Sequence, residues 1–262
     1  MIASTGNTKV KRLANLMKKK KARDGEKVYL VEGIRMFREV PKEDLLEVYA
    51  SESFYKKEEI LIHEILEGTS VREEILTDTV YAYVSDTKTP QGILCVVKQK
   101  DYEIKKLLEE KTQLMILEHL QDPGNLGTIF RTAEAAGATG ILMDKGCVDI
   151  YNPKTIRSTM GAIYRVPFLY TEELHKTMKD LQSQGVKIYA AHLEDSLDYD
   201  LPDYTAPTAF LIGNEGNGLT RETADLADQY IKIPMEGQVE SLNAAVAATV
   251  LMFEAARQRR NS

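Results

Sequence analysis

The chain has 262 residues, 43% of them hydrophobic and 28% charged, with a formal net charge of −6, enough for one sizeable core and compatible with two domains of ordinary size. No apolar run approaches the roughly 20 residues a bilayer span requires, and MIASTGNTKVKR lacks the apolar core of a signal peptide, so no membrane partner is expected and the cytoplasm is the expected compartment. The negative balance argues against a polyanionic partner until its distribution is read: residues 1–27 hold nine Lys or Arg against two acids, a basic arm on an acidic body.

Ser4 or Asn7 can cap a first helix, in which Val10, Leu13, Leu16 and Met17 recur at helical spacing with Lys9, Lys11 and Arg12 between them. The run Lys18, Lys19, Lys20, Lys21 is expected at the end of that helix, either as a solvated tail complementing the helix dipole or as a contact to nucleic-acid phosphates. KVYLVE (27–32) reads as a strand and 33–40 as a helix carrying Arg35 and Arg38. A strand at 45–50, a helix at 56–67 and short strands at 82–85 and 93–98 complete a small α/β/α unit. DYEIKKLLEEKT (101–112) is charged, helix-prone and free of Pro and Gly, and reads as a linker rather than a core element. The boundary is expected there, giving domains 1–105 and 106–262.

The second part opens with LMILEHLQDPGNLGTIFRTAEAAGATGILM (114–143). An apolar strand enters the turn Asp122, Pro123, Gly124, Asn125; a helix carries Arg131 and Glu134; and Gly137 stops it before a second apolar strand. Next come a helix at 152–160, with Pro153 in its first turn and Lys154 and Arg157 along it, a strand at 166–170, a helix at 171–184 ended by Gly185, and a strand at 186–192. After a loop at 194–207, TAFLIGNEGNGL (208–219) is a strand breaking into a glycine-rich loop with one carboxylate, Glu215. From Ile231, IKIPMEGQVESLNAAVAATVLMFEAARQ gives a short strand, a loop and a long helix opened by Ser241 and Asn243. Its aliphatic stripe of Leu242, Val246, Val250 and Phe253 is expected in the core. Strands alternating with helices predict an α/β fold with a mostly parallel sheet covered on both faces, and in such sheets ligands bind past the carboxyl ends of the strands.

Three of those strand ends carry a resemblance. DPGNLGTIFRTAEAAG, LIGNEGNGL and IPMEGQVESLNAAVAA resemble, in order and spacing, the three motifs of the SpoU/TrmH family of RNA ribose 2′-O-methyltransferases in the SPOUT superfamily. The resemblance spans roughly residues 114–257; residues 7–100 also resemble the family's accessory RNA-binding domain, with Glu32, Gly33 and Arg35 on its signature. It implies a deep trefoil knot in the C-terminal half, S-adenosyl-L-methionine as cofactor, RNA as substrate, a ribosomal-protein-like N-terminal domain, and a homodimer to which the last helix contributes near the active site. It also favours phosphate contact for the basic arm, with Lys9, Arg12, Lys18, Lys19, Lys20, Lys21, Arg35 and Arg157 as RNA-binding residues; Arg35 stands equally well placed to pair with a local acid.

Carried over motif by motif, Asn125 and Arg131 match the first, Glu215 and its glycines the second, and Ser241 and Asn243 the third; these five form the candidate catalytic set. The family's proposal is that the arginine draws the proton from the 2′-hydroxyl. A guanidinium is effectively always protonated and a poor base, so Arg131 is expected to bind the neighbouring phosphate and stabilise the developing alkoxide, with an ion pair to Glu134 or Glu215 as the structural alternative. Asn125 either orients Arg131 or substrate or fills a left-handed turn; Glu215 anchors its loop or orients Arg131; Ser241 serves as helix cap, pocket wall or both. The cofactor's adenosine end is expected against Leu211, Gly213, Asn214, Gly216, Ile233 and Met235, with Ser241 and Leu242 beside it.

The residues also rule on rivals. GNEGNG is not the dinucleotide fingerprint GxGxxG, and no GxxxxGK[ST] occurs, which disfavours a nucleotide-binding enzyme. A non-catalytic RNA-binding protein has no reason to keep Arg131, Glu215 and Asn243 together. Ribosomal RNA is the expected substrate, by analogy of the accessory domain with rRNA-directed members; tRNA is the alternative. His63, His119, His175 and His192 stand in no metal or triad pattern, and Cys95 and Cys147 in no metal or redox spacing, so no metal is expected and the thiols are expected reduced and partly buried.

Overall fold

The computed structural model describes residues 1–193 and 195–262; Glu194, where the expected loop at 194–207 begins, lies outside them. The chain forms two compact units, Met1–Lys100 with Asp149–Tyr164, and Asp101–Val148 with Arg165–Ser262.

In the first unit Asn7 caps α1 (Thr8–Lys18) by accepting from the Lys9 amide, and Val10, Leu13, Leu16 and Met17 are buried on one face, as their spacing predicts. The lysine run does not continue that helix. Lys19 is extended, and α2 (Lys20–Glu26) starts anew beyond it. The break is held by Arg23, which is buried and donates to the Leu16 carbonyl at 2.8 Å and to Asp149 at 2.6 Å, so one member of the basic arm is structural. Next come β1 (Val28–Glu32), α3 (Ile34–Glu39), β2 (Leu45–Ser51), α4 (Glu52–Leu66), β3 (Glu73–Leu76), α5 (Asp78–Val84) and β4 (Ile93–Lys98). The sheet order is β1-β4-β2-β3, with β4 antiparallel to both neighbours and β3 parallel to β2. The expected strand at 82–85 is instead the end of α5: Thr77 caps that helix, and Val80, Tyr81 and Val84 bury at helical, not alternating, spacing. β3, short and charged, has no signature in the sequence.

In the second unit the expected linker 101–112 contributes to the core. Residues Ile104–Leu107 form a 3-10 turn, Leu107 is fully buried, and Tyr102, Ile104 and Leu108 pack on the same cluster. Its apolar residues, not its charges, decide its place. β5 (Gln113–Leu117), α6 (Pro123–Ala136) and β6 (Gly140–Asp144) form the strand, helix, strand unit expected from residues 114–143. Asp122 caps α6, Pro123 occupies its first turn, and Gly137 ends it at φ +72°. The chain then returns to the first unit for residues 149–164, where α7 (Pro153–Thr159) packs on β1. It re-enters the second unit with β7 (Phe168–Thr171), α8 (Leu174–Ser183), β8 (Lys187–Ala191), β9 (Leu197–Asp198), β10 (Thr208–Ile212), α9 (Arg221–Ala224), β11 (Gln229–Lys232) and α10 (Ala244–Arg260).

Among the described residues the second sheet has the order β7-β6-β5-β10-β8-β11-β9, and every registered pair in it is parallel. β5, β6 and β10 are buried at all five positions, as strands with helices on both faces must be. α10 packs on α6, yet not by the aliphatic stripe. Ala245, Ala248, Leu251, Met252 and Ala255 are buried, while Val246 and Phe253 are 47% and 43% exposed. The buried side of α10 is thus the one that carries Ala245, Ala248 and Ala255 with Leu251 and Met252, and Val246 and Phe253 of the stripe face outward.

Candidate active site

Three chain segments converge beyond the carboxyl ends of β5, β10 and β11, and the convergence rests on Glu215. Its carboxylate accepts from the Gln121 amide at 3.0 Å, the Asp122 amide at 2.8 Å and Asn125 Nδ2 at 3.0 Å. Burial pushes its pKa up, but these three donors outweigh burial and hold it below the ordinary carboxylate value. Glu215 is therefore an anionic anchor with its lone pairs committed, not a base.

Asn125 is the hinge of the network. Its amide N–H donates to the cap Asp122 at 2.8 Å, and its side-chain oxygen accepts from Asn243 Nδ2 at 3.0 Å. Asn243 in turn accepts from the Ala245 and Val246 amides, so it, and not Ser241, caps α10. One chain of hydrogen bonds thus joins a loop carboxylate to the first turns of two helices. Asn125 sits inside α6, which removes the left-handed-turn alternative.

The glycine-rich loop is closed by reciprocal backbone bonds between Asn214 and Gly218. The Asn214 side chain accepts from the amides of Gly216 and Asn217 and donates to the His119 carbonyl at 2.8 Å. Gly213 has no alternative, because a Cβ there would stand 2.2 Å from the Gly218 carbonyl carbon. The far end of the loop is tied by Glu118, which sequence reasoning passed over. Only 3% exposed, Glu118 accepts from the Thr220 amide at 2.8 Å and from the hydroxyls of Thr220 and Thr223. A carboxylate one residue past an apolar strand was the available signal.

Two cavities flank the anchor. The larger, about 580 Å³, is lined by Gly213, Asn214, Gly216, Ile233, Met235, Ser241 and Leu242, seven of the eight expected cofactor contacts. Leu211 does not reach it, being fully buried in β10. The lining also includes Glu240, Ala247 and Leu251, which the motifs do not single out. A concave space of this size, with apolar walls and backbone amides on a tight loop, fits an S-adenosylmethionine-sized nucleoside. The smaller, about 460 Å³, lies between Gln121, Asp122, Pro123, Asn125, Glu215, Asn243 and Ala244.

Arg131 stands apart. It lines neither cavity, is exposed on α6 and has no hydrogen bond or ion pair among the described residues. Neither alternative partner holds it: Glu134 pairs with Arg165, and Glu215 is committed as above. The basic residues of the first unit divide. Lys9 pairs with Glu74, Arg12 with Glu26 at 2.7 Å and Glu47 at 2.9 Å, Arg35 with Glu39 at 3.7 Å, and Arg157 with Asp86 at 3.0 Å. Lys18, Lys19, Lys20 and Lys21 are all exposed at the break between α1 and α2.

A model of the SpoU rRNA Methylase family matches residues 113–253, and a model of the MRM3-like substrate binding domain matches residues 7–95. Over 252 residues, 96% of this chain and 97% of the relative, the sequence is 32% identical to the 23S rRNA (guanosine(2553)-2′-O)-methyltransferase RlmP of Bacillus subtilis (strain 168). Among solved structures, the SpoU methyltransferase AviRb from Streptomyces viridochromogenes superposes with a TM-score of 0.86 at 25% identity, covering 97% of this chain and 98% of that one. An AdoMet-bound rRNA methyltransferase from Sinorhizobium meliloti gives 0.84 at 29% identity, covering 98% and 97%.

Proposed function

The chain belongs to the SpoU rRNA methylase family, and from that premise we propose that it methylates a ribose 2′-hydroxyl of ribosomal RNA with S-adenosylmethionine as donor. The observation that carries the reading is the hydrogen-bonded chain Glu215, Asn125, Asn243, which unites all three motif segments beside a nucleoside-sized cavity. The cofactor supplies an electrophilic methyl group. The protein's share is alignment and charge: Gly213, Asn214, Gly216, Ile233, Met235, Ser241 and Leu242 hold the donor, and the smaller cleft receives the target nucleotide. Arg131 binds a substrate phosphate and stabilises the 2′-oxygen as it takes the methyl group from the sulfonium and its proton passes to solvent water.

Arg131 on α6 and Val246 and Phe253 on the adjacent α10 are all exposed, and we assign these two helices to a homodimer interface that includes Arg131. The exposed lysines at residues 18–21 contact RNA phosphates, the last helix completes a trefoil knot, and the reaction takes place in the cytoplasm. These follow from the family reading together with the exposed apolar residues and the exposed lysines.

The test is transfer of labelled methyl groups from S-adenosylmethionine to unmodified rRNA and tRNA, followed by alkaline hydrolysis. Alkali-resistant dinucleotides from rRNA support the proposal. The same product from tRNA alone reassigns the substrate. RNA binding without transfer to either RNA or to ribosome-assembly particles turns the reading to a non-catalytic RNA-binding protein.

A further inference from the structure

His119, on the connection from β5 to α6, takes no part in the network around Glu215, yet its conformation is costly and tightly specified. Its φ is +52°, in the left-handed region that a residue with a Cβ rarely adopts. Asp144, a buried carboxylate at the end of β6, accepts from the His119 amide at 3.0 Å and meets ring Nδ1 at 3.1 Å. The ring lies directly on Gly146, where a Cβ would come within 2.1 Å of Cδ2. The His119 carbonyl is taken by Asn214 of the glycine-rich loop, and Gln121, whose amide holds Glu215, donates its side chain to the Gly146 carbonyl. Backbone and ring are thus fixed from both sides, while the side chain remains 55% exposed and Nε2 has no partner among the described residues.

A core histidine would have both ring nitrogens satisfied, and a solvated one would not need a carboxylate, a glycine shelf and a strained backbone to aim it. Because a carboxylate only accepts, Asp144 fixes Nδ1 as the donor and leaves Nε2 as the uncommitted ring nitrogen of an exposed side chain, two residues along the chain from Gln121 of the smaller cleft. We propose that His119 is an RNA-contacting residue, whose Nε2 hydrogen-bonds the nucleotide adjoining the one that is methylated, with Asp144 as its positioning residue. Such contacts suit an unpaired strand, where sugar hydroxyls and base edges are open.

The inference rests on the methyltransferase reading, and the experiment separates the two. His119→Gly removes the ring and also the strain, since glycine adopts this φ freely. The expected result is a melting temperature unchanged or raised, S-adenosylmethionine affinity unchanged, and both the KM for rRNA and the Kd for rRNA measured without cofactor raised about fivefold, the loss of one net hydrogen bond. Equal RNA KM and Kd in variant and wild type overturn the inference while leaving the methyltransferase reading intact. A variant that melts lower and loses cofactor affinity overturns it in favour of a structural role. A wild-type protein that methylates no RNA overturns the functional reading, and this inference falls with it.

Discussion

Asn243 donates through Nδ2 to Asn125 Oδ1 at 3.0 Å, and Asn125 passes its own Nδ2 to Glu215 at the same distance. The Asn243 side chain also caps α10, and the Asn125 backbone amide donates to the α6 cap Asp122, so the cleft is built on the first turns of both helices. A substitution at Asn125 therefore acts on both motif helices. Asn125→Asp sets a carboxylate against Glu215 and against a network with no donor to spare. We expect methyl transfer to fall at least tenfold at saturating substrate, with about 1 kcal/mol lost in stability. Single-turnover transfer and urea unfolding, run on the same preparations, check both halves.

Arg131 offers the opposite pattern, a residue whose loss costs the fold little. It is exposed and unpaired among the described residues, so Arg131→Ala is expected to stay within about 0.5 kcal/mol of the wild type in stability. Cofactor affinity is expected to hold, while transfer drops by about two orders of magnitude or more. Arg131→Lys recovers little, because a point charge does not reproduce the forked guanidinium. Turnover near the wild-type rate in the alanine variant refutes the assignment.

The depressed pKa of Glu215 gives stability a defined pH dependence. Burial opposes ionisation, but the Gln121 amide, the Asn125 side chain and the Asp122 amide together favour it more. The folded-state value is thus below the unfolded one, about 4.3 for a free glutamate. The contribution is fully present above that unfolded value and is lost as pH falls through the lower, folded-state value. Glu215→Gln removes it. The gap in melting temperature between wild type and variant is expected to stay constant from pH 8 to about pH 6 and to shrink below the carboxylate range. A gap independent of pH down to acid unfolding contradicts the anchoring role.

The strand-to-helix joints of this site are written locally, which is why they could be read from the chain. Asp122, Pro123 and Gly137 each act on their own backbone, and α6 begins and ends where they say. The features that escaped reading depend on what lies across the fold. Periodicity groups Val246 with Phe253 on one side of α10 but says nothing of which side is buried, and the alanine side is. Leu107 looks like part of a charged connector until its cluster with Leu114 and Leu142 is seen. The Asn125 to Asn243 bond spans 118 residues, so the motifs showed its members without showing the bond.

Arg259 makes a further long-range tie with a measurable consequence. At the end of α10 its guanidinium donates to the carbonyls of Lys111 at 2.8 Å and of Thr112, Tyr204 and Ala206 at 2.9 Å. It thereby staples the last helix to the entry of β5 and to the segment before β10. Burial lowers its pKa from the ordinary arginine value, yet a guanidinium remains charged throughout the useful pH range. Arg259→Ala leaves four carbonyls without this donor, and a loss of about 3 kcal/mol is expected. Hydrogen exchange should localise that loss to α10 and residues 111–113 before global unfolding is reached. Arg259→Lys restores only part of it, since an ammonium cannot span the same fork.

The exposed side of α10 makes the dimer assignment directly testable. In a monomer Val246 and Phe253 are 47% and 43% exposed, so acidic replacements there meet water and need not disturb the core formed by Ala245, Ala248 and Leu251. In a dimer built on this face the same replacements bring unpaired like charges together across the symmetry axis. Val246→Asp with Phe253→Glu is therefore expected to shift the mass in solution, measured by light scattering at micromolar concentration, from two chains to one. Its far-UV circular dichroism should stay that of the wild type. If Arg131 works only at the interface, transfer falls along with the dimer although every cavity residue is intact. A double variant that becomes monomeric yet methylates rRNA at the wild-type rate separates the two claims, keeping the dimer and removing the interface from catalysis. A wild-type protein that is already one chain at that concentration removes the dimer itself.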